Sequence, residues 1–175
     1  MAVHNVHERS LPVPAGELAP LLDGLASSDD RLWPHDRGRW PAMRLDLPLG
    51  AGAKGGHGPV RYTVTEYVPG RRVRFGFTGP RGFLGFHEYT VLPAGDDEGA
   101  GSCVLRHTLA MRVRGSARLS WPLVFRPLHD AVLEDSLDRA ELACTGALVR
   151  PARWSPYVRL LRRLAVGARR RRTRR

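Results

Sequence analysis

A chain of 175 residues with 42% hydrophobic and 26% charged content can bury one proper core and is too short for two. No stretch has the unbroken apolar length of a membrane span or the apolar run of a signal peptide, so the expectation is a cytoplasmic protein. The net charge of +11 belongs to one end: 17 acidic and 17 basic residues up to Leu148 cancel, and the other 11 basic residues follow from Arg150.

Residues 3–11 alternate as a first strand. Pro14 then opens a helix with Leu18, Leu21, Leu22 and Leu25 on one face. A second short helix is expected to start at the capping cluster of Ser27, Ser28, Asp29 and Asp30 and to stop at Trp33-Pro34. Residues 43–47 read as a short strand, and the glycine-rich residues 50–59 as a loop without regular structure. Strands follow at 60–68, 72–78, 83–92 and 102–114, separated by turns at Pro69-Gly70 and residues 79–82 and by an acidic loop at 93–101.

Residues 121–148 form the one long helix-forming stretch of the folded body. His129, Leu133, Ser136, Ala140, Ala143 and Ala147 share its inner face, with Leu137, Cys144 and Leu148 on the flank. Glu134, Asp138, Glu141 and Thr145 gather opposite, where water is expected. The small inner-face residues are expected to leave space above a curved sheet. Strand, short helices, consecutive antiparallel strands and a long helix make an α+β arrangement, a curved antiparallel sheet gripping a C-terminal helix.

The segments LPVPAGELAPLL, YTVTEYVPGRRVRFGF, GFHEYTVLP and GSCVLRHTL, in that order before the long helix, resemble the START-like helix-grip superfamily of polyketide cyclases and lipid carriers. The resemblance covers residues 3–148, the folded part of an expected domain at 1–149. It implies a cavity between sheet and helix for an apolar or amphipathic small molecule, in a carrier, a sensor or a cyclase-type enzyme.

Phe75, Phe77, Tyr89, His107, Leu109, Met111, His129 and Leu133 are the residues expected to line that cavity. His107 stands in the apolar series Leu105, Leu109, Met111, where a neutral imidazole needs a hydrogen-bond partner. It reads either as a satisfied core histidine or as a cavity-facing one. His129 reads as a core histidine bonded to a backbone carbonyl or as an orienting group for a ligand. Its neighbour Asp130 is turned about 100° away on the helix, so no ordinary dyad is expected. Glu66 points inward if Tyr62, Val64 and Val68 do, and is solvated otherwise. His87 and Glu88 alternate, and the choice between them stays open. His107, Glu66 and His129 are thus the acid–base candidates should the chain be an enzyme.

No nucleophile, metal-ligand or nucleotide motif is present; His4 and His7 splay to opposite faces of a strand, and no cofactor or metal is expected. Cys103 and Cys144 read as reduced thiols. Residues 150–175 read as a separate basic tail, helical from about Ser155 to Ala168 and disordered beyond. Its apolar stripe and arginines suit an anionic membrane surface, nucleic acid would attract the same charge, and docking on the body is the third reading. Its removal is expected to leave folding intact.

Overall fold

The computed structural model describes residues 1–93 and 101–172, without the side chains of Arg37 and of residues 168–172. Seven strands form one curved, fully antiparallel sheet: β1 (Ala2–Leu11), β2 (Arg44–Leu45), β3 (Lys54–His57), β4 (Val60–Val68), β5 (Arg72–Gly79), β6 (Phe83–Pro93) and β7 (Cys103–Val113). Their order is β1-β7-β6-β5-β4-β3-β2. From β3 to β7 every strand pairs with its chain neighbour, as short hairpin turns require. Only β1 crosses over, to the far edge beside β7. Most of the expected acidic loop lies outside the described residues.

Helix α1 (Ala15–Asp23) starts after Pro14 and buries Leu18, Leu21 and Leu22 against the sheet; Leu25, just beyond it, is buried too. The second short helix does not form. Buried Asp30 accepts hydrogen bonds from the backbone N–H groups of Ala26, Leu32 and Trp33 at 2.7–3.0 Å. The carboxylate thereby holds the chain in a turn instead of capping a helix. A single 3-10 turn follows at Asp36–Gly38.

Glycine-rich β3 is a strand after all, and its glycines explain why. A Cβ on Gly55 would collide with the Arg44 carbonyl of β2, and one on Gly56 with the Val60 carbonyl of β4. Here glycine permits close backbone approach, so strand pairing survives a composition that normally weakens it.

The long helix runs from Ala117 to Thr145 in three parts: α2 (Ala117–Ser120), a π-helical turn (Trp121–Phe125) and α3 (Arg126–Thr145). Pro122 and Pro127 bring no N–H to its ladder. The Leu123 carbonyl, four residues before Pro127, accepts instead from the Tyr157 hydroxyl at 2.6 Å. Gly146 closes the helix in the left-handed conformation at φ 74°.

The acidic face of α3 is not in water. Asp135, Asp138 and Glu141 are buried, and of the expected solvent face only Thr145 and, in part, Glu134 meet water. Arg9 of β1 reaches Glu134, Asp138 and Glu141 together. Asp135 accepts from the indole N–H groups of Trp40 at 2.6 Å and Trp154 at 2.9 Å, and pairs with Arg39 at 3.0 Å. The backbone N–H groups of Val149 and Ala152 bond Glu141 and Asp138.

The segment after α3 therefore supplies donors to buried carboxylates. Helix α4 (Pro156–Arg172) continues from it, buries Val158, and lays Arg162 over the Trp40 ring at 4.7 Å. It extends past Ala168 into the arginine run for which disorder was expected. Because an unpaired buried carboxylate is costly, removing residues 150–175 is expected to destabilise the domain by several kcal/mol, roughly 3–5 for breaking such pairs. Urea unfolding of the truncated chain measures this, and an unchanged midpoint would contradict it.

Candidate functional site: a buried imidazole cluster

Strand register builds the site. His7, His107, Tyr89 and Val73 face one another across β1, β7, β6 and β5, and Asn5, Leu109, His87, Phe75 and Val64 form the adjacent row. The choice between His87 and Glu88 is thereby made: His87 is buried, and Glu88 pairs with Arg74 at 2.7 Å. His129 comes down from α3 onto His107, with ring centroids 5.2 Å apart.

These rings join two apolar clusters. His87 stacks on Phe75 of the main core at 5.0 Å and on Phe77 at 5.1 Å. His107 meets Tyr89 edge-on at 4.7 Å, and His129 touches Trp121 of the smaller cluster at 5.8 Å. Leu109 and Met111 belong to that smaller cluster, Leu133 to the main one. Where an ordinary core would be continuously apolar, three imidazoles span the boundary.

Burial pushes His87 and His107 well below the usual histidine range, and their imidazole neighbours push them further. His129 is lowered too, by burial first, with Asp130 working against the shift. All three are neutral near pH 7, so each ring carries one N–H and one lone pair. His87 Nδ1 and His107 Nε2 share a hydrogen bond of 3.2 Å. Whichever ring donates, the pair keeps one free donor and one free acceptor, at His87 Nε2 and His107 Nδ1. Neither atom has a partner among the described residues, and neither do the two ring nitrogens of His129. The Tyr89 hydroxyl, by contrast, is satisfied by Ser136 at 2.9 Å, and Ser136 donates to the Leu32 carbonyl.

The expected lining residues do converge, but the open space expected beneath Ser136, Ala140 and Ala143 is filled. Leu32, Trp33, Trp40 and Met43, from the segment between α1 and β2, join the core there, and Tyr89 reaches the helix from below. Glu66 is excluded from the site. A register shift between Val64 and Glu66 breaks the alternation of β4, so Tyr62 and Val64 are buried while Glu66 pairs with Arg72 and Arg74 on the outer face. His57, read as part of a loop, is carried by β3 to Trp33, Tyr62 and His87 at ring distances of 4.5, 5.7 and 6.5 Å. A histidine amid glycines was its only sequence signal.

His4 is exposed and His7 turns inward, as the strand spacing required. His7 lies between carboxylates, Nε2 at 3.2 Å from Asp130 and Nδ1 at 2.7 Å from Glu134. Burial works against its charged form, yet both carboxylates favour it, and His7 is raised to about 9. His129 and Asp130 come within 3.5 Å without hydrogen-bond geometry, consistent with their angular separation on the helix.

A curved antiparallel sheet gripping a long C-terminal helix over a partly polar interior defines a helix-grip protein. Solved structures share this fold. Norcoclaurine synthase from Thalictrum flavum, in complex with dopamine and hydroxybenzaldehyde, aligns over 86% of this chain and 90% of its own at 15% identity and a TM-score of 0.59. CalU16 from Micromonospora echinospora aligns over 95% and 86%, at 15% identity and 0.54. XoxI from Bacillus cereus aligns over 81% and 95%, at 13% identity and 0.56. No family model and no curated protein matches the sequence itself. At these identities the likeness is one of fold.

The depressed imidazoles make stability depend on acid in one direction. Unfolded histidines take up protons near pH 6.5, whereas folded His87 and His107 do so only well below it. Their contribution is complete above 6.5 and is lost as pH falls, by about 1.4 kcal/mol per pH unit for each ring. His7 works the other way: raised to about 9, it adds stability as pH falls from about 9 to about 6.5 and contributes little slope below that. Urea midpoints measured from pH 6.5 to 5 should fall, and replacing both histidines by apolar residues should flatten the fall.

Proposed function

We propose that the protein binds a small, largely apolar ligand carrying a hydroxyl or enol group, between the sheet and α3, as a carrier or sensor. The observation that supports this reading is the neutral His87–His107 pair, with one free donor and one free acceptor held among aromatic rings. Buried polar atoms are normally satisfied, and a core built for stability alone would have no use for these. A hydroxyl both donates and accepts, so it can satisfy the pair in either tautomer. The ring faces of Phe75, Phe77 and Tyr89 suit a flat or polyketide-like molecule, which would enter only by displacing side chains of the filled interior. Dopamine and hydroxybenzaldehyde, hydroxylated aromatics present in the norcoclaurine synthase complex, have this chemistry.

Cyclase-type catalysis in the same place is the alternative. Neutral His107 and His129 would then shuttle protons while the walls fold a reactive chain. The double variant His87→Phe/His107→Leu separates a ligand role from a core role. With both polar partners replaced together, folding stability at pH 7 should be unchanged or higher, while affinity for a hydroxylated aromatic should fall at least about tenfold. Tryptophan fluorescence titration and urea unfolding provide the two readouts. Lost stability with unchanged affinity would make the pair a structural element. Native mass spectrometry of protein from its own host would identify a retained ligand.

A second reading concerns α4. With Val158 turned to the body, Leu160, Leu164 and Val166 are exposed beside Arg159 and Arg163. Among the described residues no helix is long and apolar enough to cross a membrane. A basic helix with an exposed apolar stripe instead suits reversible attachment to anionic lipid. Changing Leu160 and Leu164 to Ser should abolish sedimentation with phosphatidylserine vesicles without altering the fold. RNA binding, which depends on the unchanged arginines, should barely alter, and retained vesicle binding in the variant would favour a surface acting through charge and count against the lipid reading.

A further inference from the structure

A cluster of metal-ligand type lies at the edge of the imidazole site, outside the proposed ligand contacts of His87 and His107. His7, on β1, and His129 and Asp130, at the start of α3, offer ligand atoms that all lie within 4.8 Å of one another. Around Asp130 Oδ1, His7 Nε2 stands at 3.2 Å and His129 Nδ1 at 3.5 Å. A tetrahedral ion with bonds of about 2.0–2.2 Å keeps its ligand atoms about 3.3–3.6 Å apart, so these separations match two edges of such a site.

Two orphaned atoms point the same way. His129 Nδ1 is buried with no hydrogen-bond partner among the described residues, and so is the amide oxygen of Asn5. The Asn5 amide lies beside the cluster, with Nδ2 at 3.2 Å from Asp130 Oδ1. Turning that amide over would bring its oxygen to the same distance, next to a fourth position.

The surroundings also fit. Glu134 holds His7 through Nδ1 at 2.7 Å, leaving Nε2 toward the cluster. A carboxylate on the far nitrogen is the support that metal-bound histidines usually have. A cation would replace the proton now shared by His7 Nε2 and Asp130, so its two positive charges would balance the Asp130 and Glu134 carboxylates. Asp130 is 36% exposed, which provides an entry path, and its Oδ2 turns outward to Arg126 at 3.7 Å.

We propose that His7 Nε2, His129 Nδ1 and Asp130 Oδ1 form a binding site for a divalent transition-metal ion of the zinc class, with a fourth position beside Asn5. Two imidazoles and one carboxylate select such ions over magnesium and calcium, which prefer all-oxygen sites.

Titration of the full-length protein with Zn2+ in competition with a chromophoric chelator tests the site. One ion per chain is expected. His129→Phe should eliminate binding, Glu134→Gln should weaken it about 10- to 100-fold, and His4→Ala, on the opposite face, should leave it unchanged. Should His129→Phe fail to fold, Co2+ added to the wild-type protein keeps the proposal open to refutation. Paramagnetic shifts of the His7 and His129 ring signals, with the visible bands of tetrahedral cobalt, would support the site. Failure of the wild-type protein to bind Zn2+, full affinity in folded His129→Phe, or cobalt shifts confined to His4 and His35 would overturn it.

Discussion

The carboxylates of α3 impose the constraint on which much of the structure depends. Asp135, Asp138 and Glu141 are turned into the protein, where an unpaired charge would be intolerable. Each therefore recruits a partner from another part of the chain. Arg9 brings β1 against the helix, Arg39 and Trp40 bring the loop after α1, and the residues from Val149 to Trp154 are drawn back across it. The helix is thus gripped by the sheet on its apolar side and by a set of charge-assisted hydrogen bonds on the other. The two opposing partners of Asp135, the indoles of Trp40 and Trp154, also pack on each other with ring centroids 5.0 Å apart.

This arrangement determines where the imidazoles sit. With α3 tied to β1 along its acidic side, its first turns bring His129 over His107 and Asp130 toward His7. The strand register does the rest, setting His107 beside Tyr89 and His87 beside Phe75. Polar rings in an apolar setting lose their charge and keep their hydrogen-bonding capacity. The result is a directional neutral site at the centre of the fold, bordered on the β1 side by a charged one.

Two hydrogen-bonded chains in this interior differ in how their polar atoms are satisfied. Tyr89, Ser136 and Leu32 form a closed chain of hydrogen bonds, which is what a stable core requires. The His87–His107 chain stays open at both ends. That contrast within a few ångströms separates a closed structural chain from one with unpartnered ends.

Much of the fold was legible from the sequence because local patterns govern hairpins. The alternation of β4 to β7 and their intervening turns predicted antiparallel neighbours, and the helix-forming run after Trp121 could cover such a sheet. His107 and His129 were legible as inward residues for the same reason, each lying in an apolar series of the right period. What periodicity cannot register is a local break or a distant partner. The bulge in β4 turned Glu66 outward, and the close approaches at Gly55 and Gly56 made a strand of an apparent loop, bringing in His57. The acidic face of α3 read as solvated because charged residues on a helix usually are. Only the tertiary structure shows that Arg9, Trp40 and Trp154, remote from it along the chain, converge to bury it. Sequence patterning thus determined which faces could be apolar, and the assembled fold decided which polar groups are satisfied, since that depends on contacts between segments far apart in the chain.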